Sequence, residues 1–323
     1  MPTREIQAIQ LAPGLALACV ACGSAFFQLF EPEVPEIEIW RCRTCGTACR
    51  YPQPRTEQLD RHYAEDYYGP DNVKFLGTIE RVIAWWTRRR ALRIDKQIGC
   101  RGRVLEIGCG RGLLLRELAR LGHECHGTER SELAARRARA TAGIHVCTKP
   151  LEECGFPEAY FDFVVLWHVL EHLPAPGQTL QLLAKLLKPG GVLYLEVPSL
   201  SSWQAQLSGR NWFHLDPDRH LFHFTADGLR QLLGRQHFHY LRRATLSLEQ
   251  GPYGVLQSWL NGLGFRPQKL YRILKRELAV TTAERWLQFG LAALLLVPAW
   301  GFAMLESCFG RGGILRVMAR RTS

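Results

Sequence analysis

The stretch VLEIGCGRGLLLREL, from Val104 to Leu118, carries more structural information than any other part of this chain of 323 residues. An apolar strand pattern runs to Glu106, glycines then alternate at positions 108, 110 and 112, and a leucine-rich amphipathic helix follows. Glycines let the backbone turn tightly and approach a ligand where a Cβ would collide, and the free N–H groups at the start of the helix point into that turn. The pattern therefore predicts a strand–turn–helix unit that binds a ligand. A dinucleotide fingerprint would place its third glycine at position 113, which is Leu113.

Strands and helices alternate after Arg103, which predicts an α/β fold with a doubly wound, mostly parallel sheet. We expect the last strand, from Gly313, to pair antiparallel with a strand near Phe238–Leu248, which brings the sheet to seven strands. In such sheets ligands bind beyond the carboxyl ends of the strands. The predicted core elements are Val104–Ile107, Leu113–Leu121, His123–Glu129, Ser131–Ala142, Ile144–Cys147, Phe161–Trp167, Gly177–Leu187 and Val192–Val197.

The spacing E-x-G-x-G-x-G, with an acidic residue ending the next strand, resembles the first motifs of class I methyltransferases that use S-adenosylmethionine (SAM). The segments FPEAYFDFVVLWHVLEHLPAP, residues 156–176, and LLKPGGVLYLEVP, residues 186–198, are similar to that family's fourth strand and final parallel strand. The resemblance covers residues 100–200. It implies that Glu129 accepts the ribose hydroxyls and that Leu151 packs on the adenine ring, although Ser131 offers a local reason for the turn as an N-cap. The cofactor-binding residues it implies are Glu106, Gly108, Cys109, Gly110, Gly112, Glu129, Leu151 and Trp167.

The residues expected on the acceptor side follow the fourth strand. Methyl transfer to a hydroxyl needs positioning and a proton acceptor, and a neutral imidazole suits that task near neutral pH. We therefore expect His168 to act as the base, with Glu171 beside it and His220, in the polar loop after the last parallel strand, as a second candidate. The alternatives are that His168 only lines the cofactor, that Glu171 caps and orients, and that the loop is a lid bonded to itself.

Four cysteines near the start form two C-x2-C pairs, Cys19 with Cys22 and Cys42 with Cys45. Four thiolates at this spacing predict a structural tetrahedral Zn2+ site in a zinc ribbon, and a rubredoxin-like iron site is the alternative. A segment this short has too little core to fold alone, so a metal would stabilise it. The remaining cysteines are expected to be reduced thiols, Cys49 as a spare and the others as small apolar residues: Cys100, Cys109, Cys125, Cys147, Cys154 and Cys308.

Residues 289–305 form an uncharged apolar stretch that contains Pro298, and basic residues precede it. Its length is at the lower limit for a membrane span, but a single crossing would leave the final strand on the wrong side. We expect a helical insertion whose residues 286–309 touch the membrane peripherally, at the inner face of the cytoplasmic membrane. A buried or dimer-forming helix and a true span are the alternatives. The N-terminal residues do not show a secretory pattern, so a cytoplasmic protein is expected.

The predicted organisation is a zinc ribbon (1–55), linker and lid helices (56–102), a SAM-binding core (103–250), an apolar helical insertion (251–312) and a final strand with a tail (313–323). A formal net charge of +11 indicates an anionic partner, such as a nucleic acid, a nucleotide-sugar, a phospholipid surface or a phosphorylated lipid, and a soluble basic protein without such a partner is the alternative. The zinc ribbon together with the core resembles bacterial methyltransferases tied to surface glycans and lipid-linked sugars. We expect SAM-dependent methylation, on oxygen, of a small or lipid-linked saccharide or a related metabolite. The alternatives are an RNA-modifying methyltransferase, which is less favoured, and a membrane-associated SAM-binding module without turnover.

Overall fold

The parallel strands of the core form where buried, largely apolar runs were expected, and the seven-stranded α/β sheet is confirmed. In this computed structural model the described residues are 18–34, 37–54, 77–275 and 277–322. Of the predicted linker and lid helices (56–102), residues 56–76 lie outside them. The strands of this sheet are β4 Arg103–Ile107, β5 Glu124–Thr128, β6 Ile144–Cys147, β7 Phe161–Trp167, β8 Leu187–Pro198, β10 Phe238–Ala244 and β11 Ile314–Arg321. They lie in the order β10-β11-β8-β7-β4-β5-β6. The neighbouring pairs from β8 to β6 are parallel, whereas β11 is antiparallel to both β8 and β10.

Helices cover both faces of this sheet because each presents an apolar stripe to it. These helices are α1 Gly77–Ile98, α2 Leu113–Arg120, α3 Glu132–Arg139, α4 Pro176–Leu186, α5 Trp203–Ser208 and α6 Ala226–Arg235. On one face, leucines of α4 and α6 pack in a cluster with buried residues of β7 and β8. On the other face, α1 and α2 enclose a second cluster through Ile94, Leu115 and Leu118. The side chain of Ser131 caps α3 by accepting a hydrogen bond from Ala134 N, as its position before the helix predicted.

The N-terminal cysteine segment forms a small antiparallel sheet that is joined to the core. Its strands are β1 Phe27–Val34, β2 Ile37–Cys42 and β3 Ala48–Tyr51, and the core supplies the fourth strand, β9 Phe222–His223. Thr225, which caps α6, donates its hydroxyl to the carbonyl of Cys45 at 2.6 Å. The ribbon is therefore fixed against the segment that follows the acceptor-side loop.

Three helices form the predicted insertion: α7 Gly251–Gly262, α8 Lys269–Leu274 and α9 Thr282–Cys308. Helix α9 packs along α7, and the chain then enters β11 in the centre of the antiparallel half of the sheet. Pro298 lies inside α9, which continues through it instead of being interrupted there. Both ends of the insertion therefore return to one sheet, as the position of the last strand predicted.

Candidate active site

The glycine turn after β4 adopts a backbone that other residues rarely tolerate. Gly108, Gly110 and Gly112 have φ values of +66°, +54° and +71°. A Cβ at Gly108 would lie 2.8 Å from Val169 Cγ2, and one at Gly112 would lie 2.7 Å from Ala138 Cβ. Cys109 N donates to Thr128 O at 2.9 Å, which fixes the turn to the end of β5. Close packing against Val169 and α3 therefore requires glycine at positions 108 and 112, and the turn lies at the carboxyl edge of the sheet.

Glu129, directly after β5, points its carboxylate at this turn and not at solvent. Its Oε2 accepts a hydrogen bond from Gly110 N at 2.8 Å, and its Oε1 accepts one from Ser131 N at 2.9 Å. The side chain is largely buried. A carboxylate in this position has the acceptor oxygens and the placement to hold a vicinal diol, because each oxygen can accept more than one hydrogen bond.

Glu106 lies at the end of β4 beneath the turn and is also buried. Burial raises the pKa of its carboxyl to about 8, the charge of Arg90 opposes that rise, and the charge of Glu129 adds to it. Its Oε2 has no hydrogen-bond partner within the described part of the chain. A buried carboxylate oxygen without a donor is costly. A cationic ligand group would satisfy it, and the ammonium and sulfonium of SAM fit that requirement.

Leu151 begins a short 3-10 turn, Leu151–Glu153, just after β6 and packs half-buried against the core. This places it at the same edge of the sheet, as predicted. Cys147 and Cys154 on either side of the turn are joined by a disulfide, so the expectation that both are reduced small apolar residues is wrong. The end of the strand and the end of the turn bring their Cα atoms to 5.8 Å, a separation that sequence spacing alone does not reveal.

Trp167 ends β7, and its indole is enclosed by cations and an aromatic ring. The guanidinium of Arg90 lies 3.2 Å from the centroid of the indole ring, and that of Arg316 lies at 5.5 Å. Arg90 also forms an ion pair with Glu249 at 2.6 Å. These contacts fix the wall between β7 and β8 beside the cofactor edge. The predicted cofactor role of Trp167 stays a prediction.

His168 follows Trp167 with a positive φ of +53°, and its ring lies between two buried carboxylates. Its Nδ1 is 3.3 Å from Glu171 Oε1, and its Nε2 is 3.4 Å from Glu196 Oε1. Burial lowers the pKa of His168, but the hydrogen bonds and charges of Glu171 and Glu196 outweigh it and raise the pKa to about 9. The imidazole is therefore protonated at neutral pH in this state, and it must pass a proton to a carboxylate before it can accept one.

Glu196 was not among the predicted site residues. It is buried in β8 and pairs with Arg316 of β11 at 2.6 Å as well as facing His168. Burial raises the pKa of Glu196, but Arg316 and His168 outweigh it and hold the pKa below its usual value. The sequence could have identified Glu196, because it is a carboxylate inside the apolar run VLYLEVP. A buried strand carries a charged residue only where that charge is paired.

The acceptor-side loop brings two more histidines to this cluster. The ring of His214 lies nearly parallel to that of His168, with the ring centroids 6.4 Å apart. His220, the second predicted base, is buried, and its ring lies 4.7 Å from that of His172, between centroids. Burial and the neighbouring histidines hold the pKa of His220 well below its ordinary value. His168, Glu171 and His220 therefore lie in one cluster, and their catalytic roles stay predictions.

The four predicted metal ligands in the ribbon come together. The sulfurs of Cys19, Cys22, Cys42 and Cys45 all lie within 4.8 Å of one another. Gly23 and Gly46 follow the two pairs with φ values of +79° and +75°, as a metal knuckle requires. Four buried or half-buried thiols without a disulfide among them fit a tetrahedral thiolate site.

Comparisons with known proteins agree with this geometry. A family model described as "Methyltransferase domain" matches residues 70–242, more than half of the chain. A ubiquinone biosynthesis O-methyltransferase of Alkalilimnicola ehrlichii is 36% identical over 111 residues, which are 31% of this chain and 45% of that protein. One from Caulobacter vibrioides is 38% identical over 101 residues, 28% of this chain and 39% of that protein. The matched segments thus span less than half of these relatives.

Among solved structures, a putative sarcosine dimethylglycine methyltransferase from Galdieria sulphuraria superposes with a TM-score of 0.51. The match covers 82% of this chain and 98% of that one, at 16% sequence identity. At this identity the likeness shows the fold alone.

Proposed function

This chain belongs to the methyltransferase-domain family and is a SAM-dependent methyltransferase, and we propose that it methylates a hydroxyl group of a lipid-linked saccharide or a related lipid-linked metabolite. Oxygen is supported by the relatives named as O-methyltransferases and by the cluster around His168. Methyl transfer to a hydroxyl releases a proton, and His168 is positioned to take it up once it has passed its own proton to a neighbouring carboxylate, Glu171 or Glu196.

One observation carries the lipid-linked part of the proposal: the apolar insertion packs on the loop that lines the acceptor side. Phe213 N donates to Ser258 Oγ of α7 at 2.9 Å, and the ring of Phe213 meets Tyr253 edge to face. Its neighbour His214 lies over His168. Helix α7, against which the apolar helix α9 packs, therefore also forms a wall of the acceptor cluster.

The outward face of α9 has the chemistry of a membrane contact. From Trp286 to Leu305 it carries no charged residue. In an apolar 18-residue stretch of the helix, only 17% of the residues are buried. Trp286, Leu294 and Val297 are 71%, 71% and 76% exposed. A surface this apolar is stable in water only when something covers it. Because both ends of the insertion return to one sheet, we propose that α9 lies on a lipid surface.

The basic residues ahead of α9 suit an anionic leaflet. Arg272 in α8 and Arg285 at the start of α9 are exposed. The side chains of Lys269 and Lys275 are largely buried and form ion pairs with Glu284 and Glu277. Juxtamembrane basic residues contribute about 1 kcal/mol each to binding at an anionic surface. We therefore propose that the protein is cytoplasmic and binds peripherally to the inner face of the cytoplasmic membrane.

We propose Zn2+ at the four-cysteine cluster. Four thiolates leave no position open for a substrate, and the ribbon sheet takes a strand from the core next to the acceptor loop. The metal would therefore hold the ribbon in shape against the edge of the acceptor site. SAM, when bound, supplies the activated methyl group; the chain supplies the glycine turn, the carboxylates and the proton-accepting cluster.

A labelled-methyl assay tests the proposal. The full chain is incubated with SAM and three acceptor pools: polyprenyl-linked saccharides in vesicles, soluble nucleotide-sugars and RNA. We expect label in the vesicle lipids, in a form stable to mild alkali, as an ether is. We expect His168→Ala to lower turnover by about 100-fold or more and to leave SAM affinity unchanged. Label in RNA alone, or full activity of His168→Ala, would contradict the proposal.

A further inference from the structure

Three side chains converge beneath the ribbon, at the turn after β7. Glu171 and His172 belong to the 3-10 turn Leu170–His172, and His220 precedes β9. A carboxylate oxygen of Glu171 and one ring nitrogen of each histidine lie within 4.8 Å of one another. The proton transfer proposed above uses His168 and gives no role to His172 or His220.

Main-chain hydrogen bonds hold the three groups in register. Leu221 N donates to the carbonyl of Glu171 at 2.8 Å. His172 Nδ1 lies 2.9 Å from the carbonyl oxygen of Arg219, and His220 Nδ1 lies 2.7 Å from that of His214. These contacts hold the turn and the segment before β9 together, so the three side chains stay close to one another.

These contacts fix the tautomer of both rings. A carbonyl oxygen can only accept, so Nδ1 of each histidine carries the proton and donates it. In the neutral ring the lone pair then lies on Nε2. A hydrogen bond from Nδ1 to a backbone carbonyl is also the usual support of a metal-binding histidine.

Glu171 supplies the third donor group and a negative charge. Its side chain is 1% exposed. One oxygen faces His168 Nδ1 at 3.3 Å, whereas Oε2 has no hydrogen-bond partner among the residues that the structure describes. A buried carboxylate oxygen without a donor is unfavourable, and a cation beside it removes that cost.

We propose that Glu171, His172 and His220 form a binding site for a divalent first-row transition cation. Two imidazoles and one carboxylate are a donor set that such cations take with coordination positions left open. Metal–ligand distances of about 2.0–2.2 Å place donors about 3 Å apart, so binding draws the three groups together by small side-chain rotations.

This site differs from the ribbon cluster in its chemistry. The ribbon offers four thiolates and a closed shell, whereas this site offers only nitrogen and oxygen donors and leaves positions for water or an acceptor oxygen. Glu171 also touches His168, so the cation lies at the acceptor side of the methyltransferase site. The two sites can therefore be distinguished in one protein.

Cobalt titration of the full chain tests the proposal. The purified protein is stripped with a chelator and reloaded with Co2+, with metal content and absorbance recorded together. Cobalt on thiolates gives intense charge-transfer absorbance, whereas cobalt on imidazole and carboxylate does not. We expect one thiolate-bound equivalent and a second equivalent without that absorbance. Glu171→Gln and His172→Asn should each weaken the affinity for the second equivalent of Co2+ by about 100-fold or more and leave the thiolate-bound equivalent in place.

The retained thiolate absorbance reports that each variant is folded, and His145→Ala, an exposed histidine of β6, serves as the matched control. Loss of the second equivalent in both variants but not in the control supports the site. Three results would overturn it: a wild-type protein that binds only thiolate-coordinated cobalt, a second equivalent that survives in both variants, or one that is lost equally in His145→Ala.

Discussion

Glu106 and Glu129 are two carboxylates at the same edge of the sheet with opposite surroundings. Glu129 receives main-chain donors from the glycine turn. Glu106 is buried, and one of its oxygens lacks a hydrogen-bond donor in the portion of the chain described. The difference indicates that Glu129 shapes the turn before the cofactor arrives, whereas Glu106 is held ready for a positive group.

The raised pKa of Glu106 predicts how stability depends on pH without SAM. In the unfolded chain its carboxyl ionises near the ordinary value of 4.5, whereas in the folded chain it keeps its proton until about 8. The folded state therefore binds the extra proton, and stability falls as pH rises through that window. The free energy of unfolding of the wild type should therefore fall between about pH 5 and 8, and Glu106→Gln should make that fall smaller by on the order of 2–4 kcal/mol.

Urea unfolding at several pH values measures this slope. Glu132→Gln is the control, because Glu132 is exposed and ion-paired with Arg139 on the surface of α3. Its unfolding free energy should keep the wild-type slope above pH 5. A Glu106→Gln variant with an unchanged slope would show that Glu106 does not carry the buried proton.

Helix α9 packs on α7 with one side and presents an exposed apolar surface with the other. A core helix buries most of its apolar residues. Helix α9 instead packs one side, with Ala299 and Ala303, against α7 and leaves Trp286, Leu294 and Val297 exposed on the other. The small alanines let α9 lie close to α7. The helix is therefore built to pack on one side and to present an apolar surface on the other.

Flotation with anionic and neutral vesicles tests that surface. We expect the wild-type chain to float with anionic vesicles, and Leu294→Glu/Val297→Glu to reduce the bound fraction by about tenfold or more, since each lost apolar contact is worth roughly 1.5–3 kcal/mol. Leu207→Glu, an equally exposed leucine at 74% on α5, should float as the wild type does. If all three proteins floated alike, α9 would not be the contact.

At the scale of the whole molecule, the sequence predicted the sheet because each parallel strand is a short apolar run between turn residues. Phe161–Trp167 and Ile144–Cys147 were placed at the observed bounds. Strand β8 is longer than predicted, because Leu187–Gly191 extend it through the Pro-Gly-Gly turn. The glycine turn, Glu129 and the four cysteines were found because each has a local pattern.

What the sequence could not show depends on contacts between distant segments. Strand β9 joins the ribbon sheet across about 170 residues of chain, and two residues leave little periodicity to read. The disulfide at Cys147 required the 3-10 turn to be seen. The carboxylate of Glu196 beside His168 and the ring of His214 over it are likewise products of packing.

The account rests most directly on the pocket at the glycine turn, and calorimetry with S-adenosylhomocysteine tests it. We expect the wild-type chain to bind one equivalent and Glu129→Ala to bind more weakly by about 1.5–3 kcal/mol, the usual scale for hydrogen bonds to a charged group. Glu124→Ala, at the opposite end of β5, should bind as the wild type does. Failure of the folded wild-type chain to bind, or unchanged affinity in Glu129→Ala, would contradict this account.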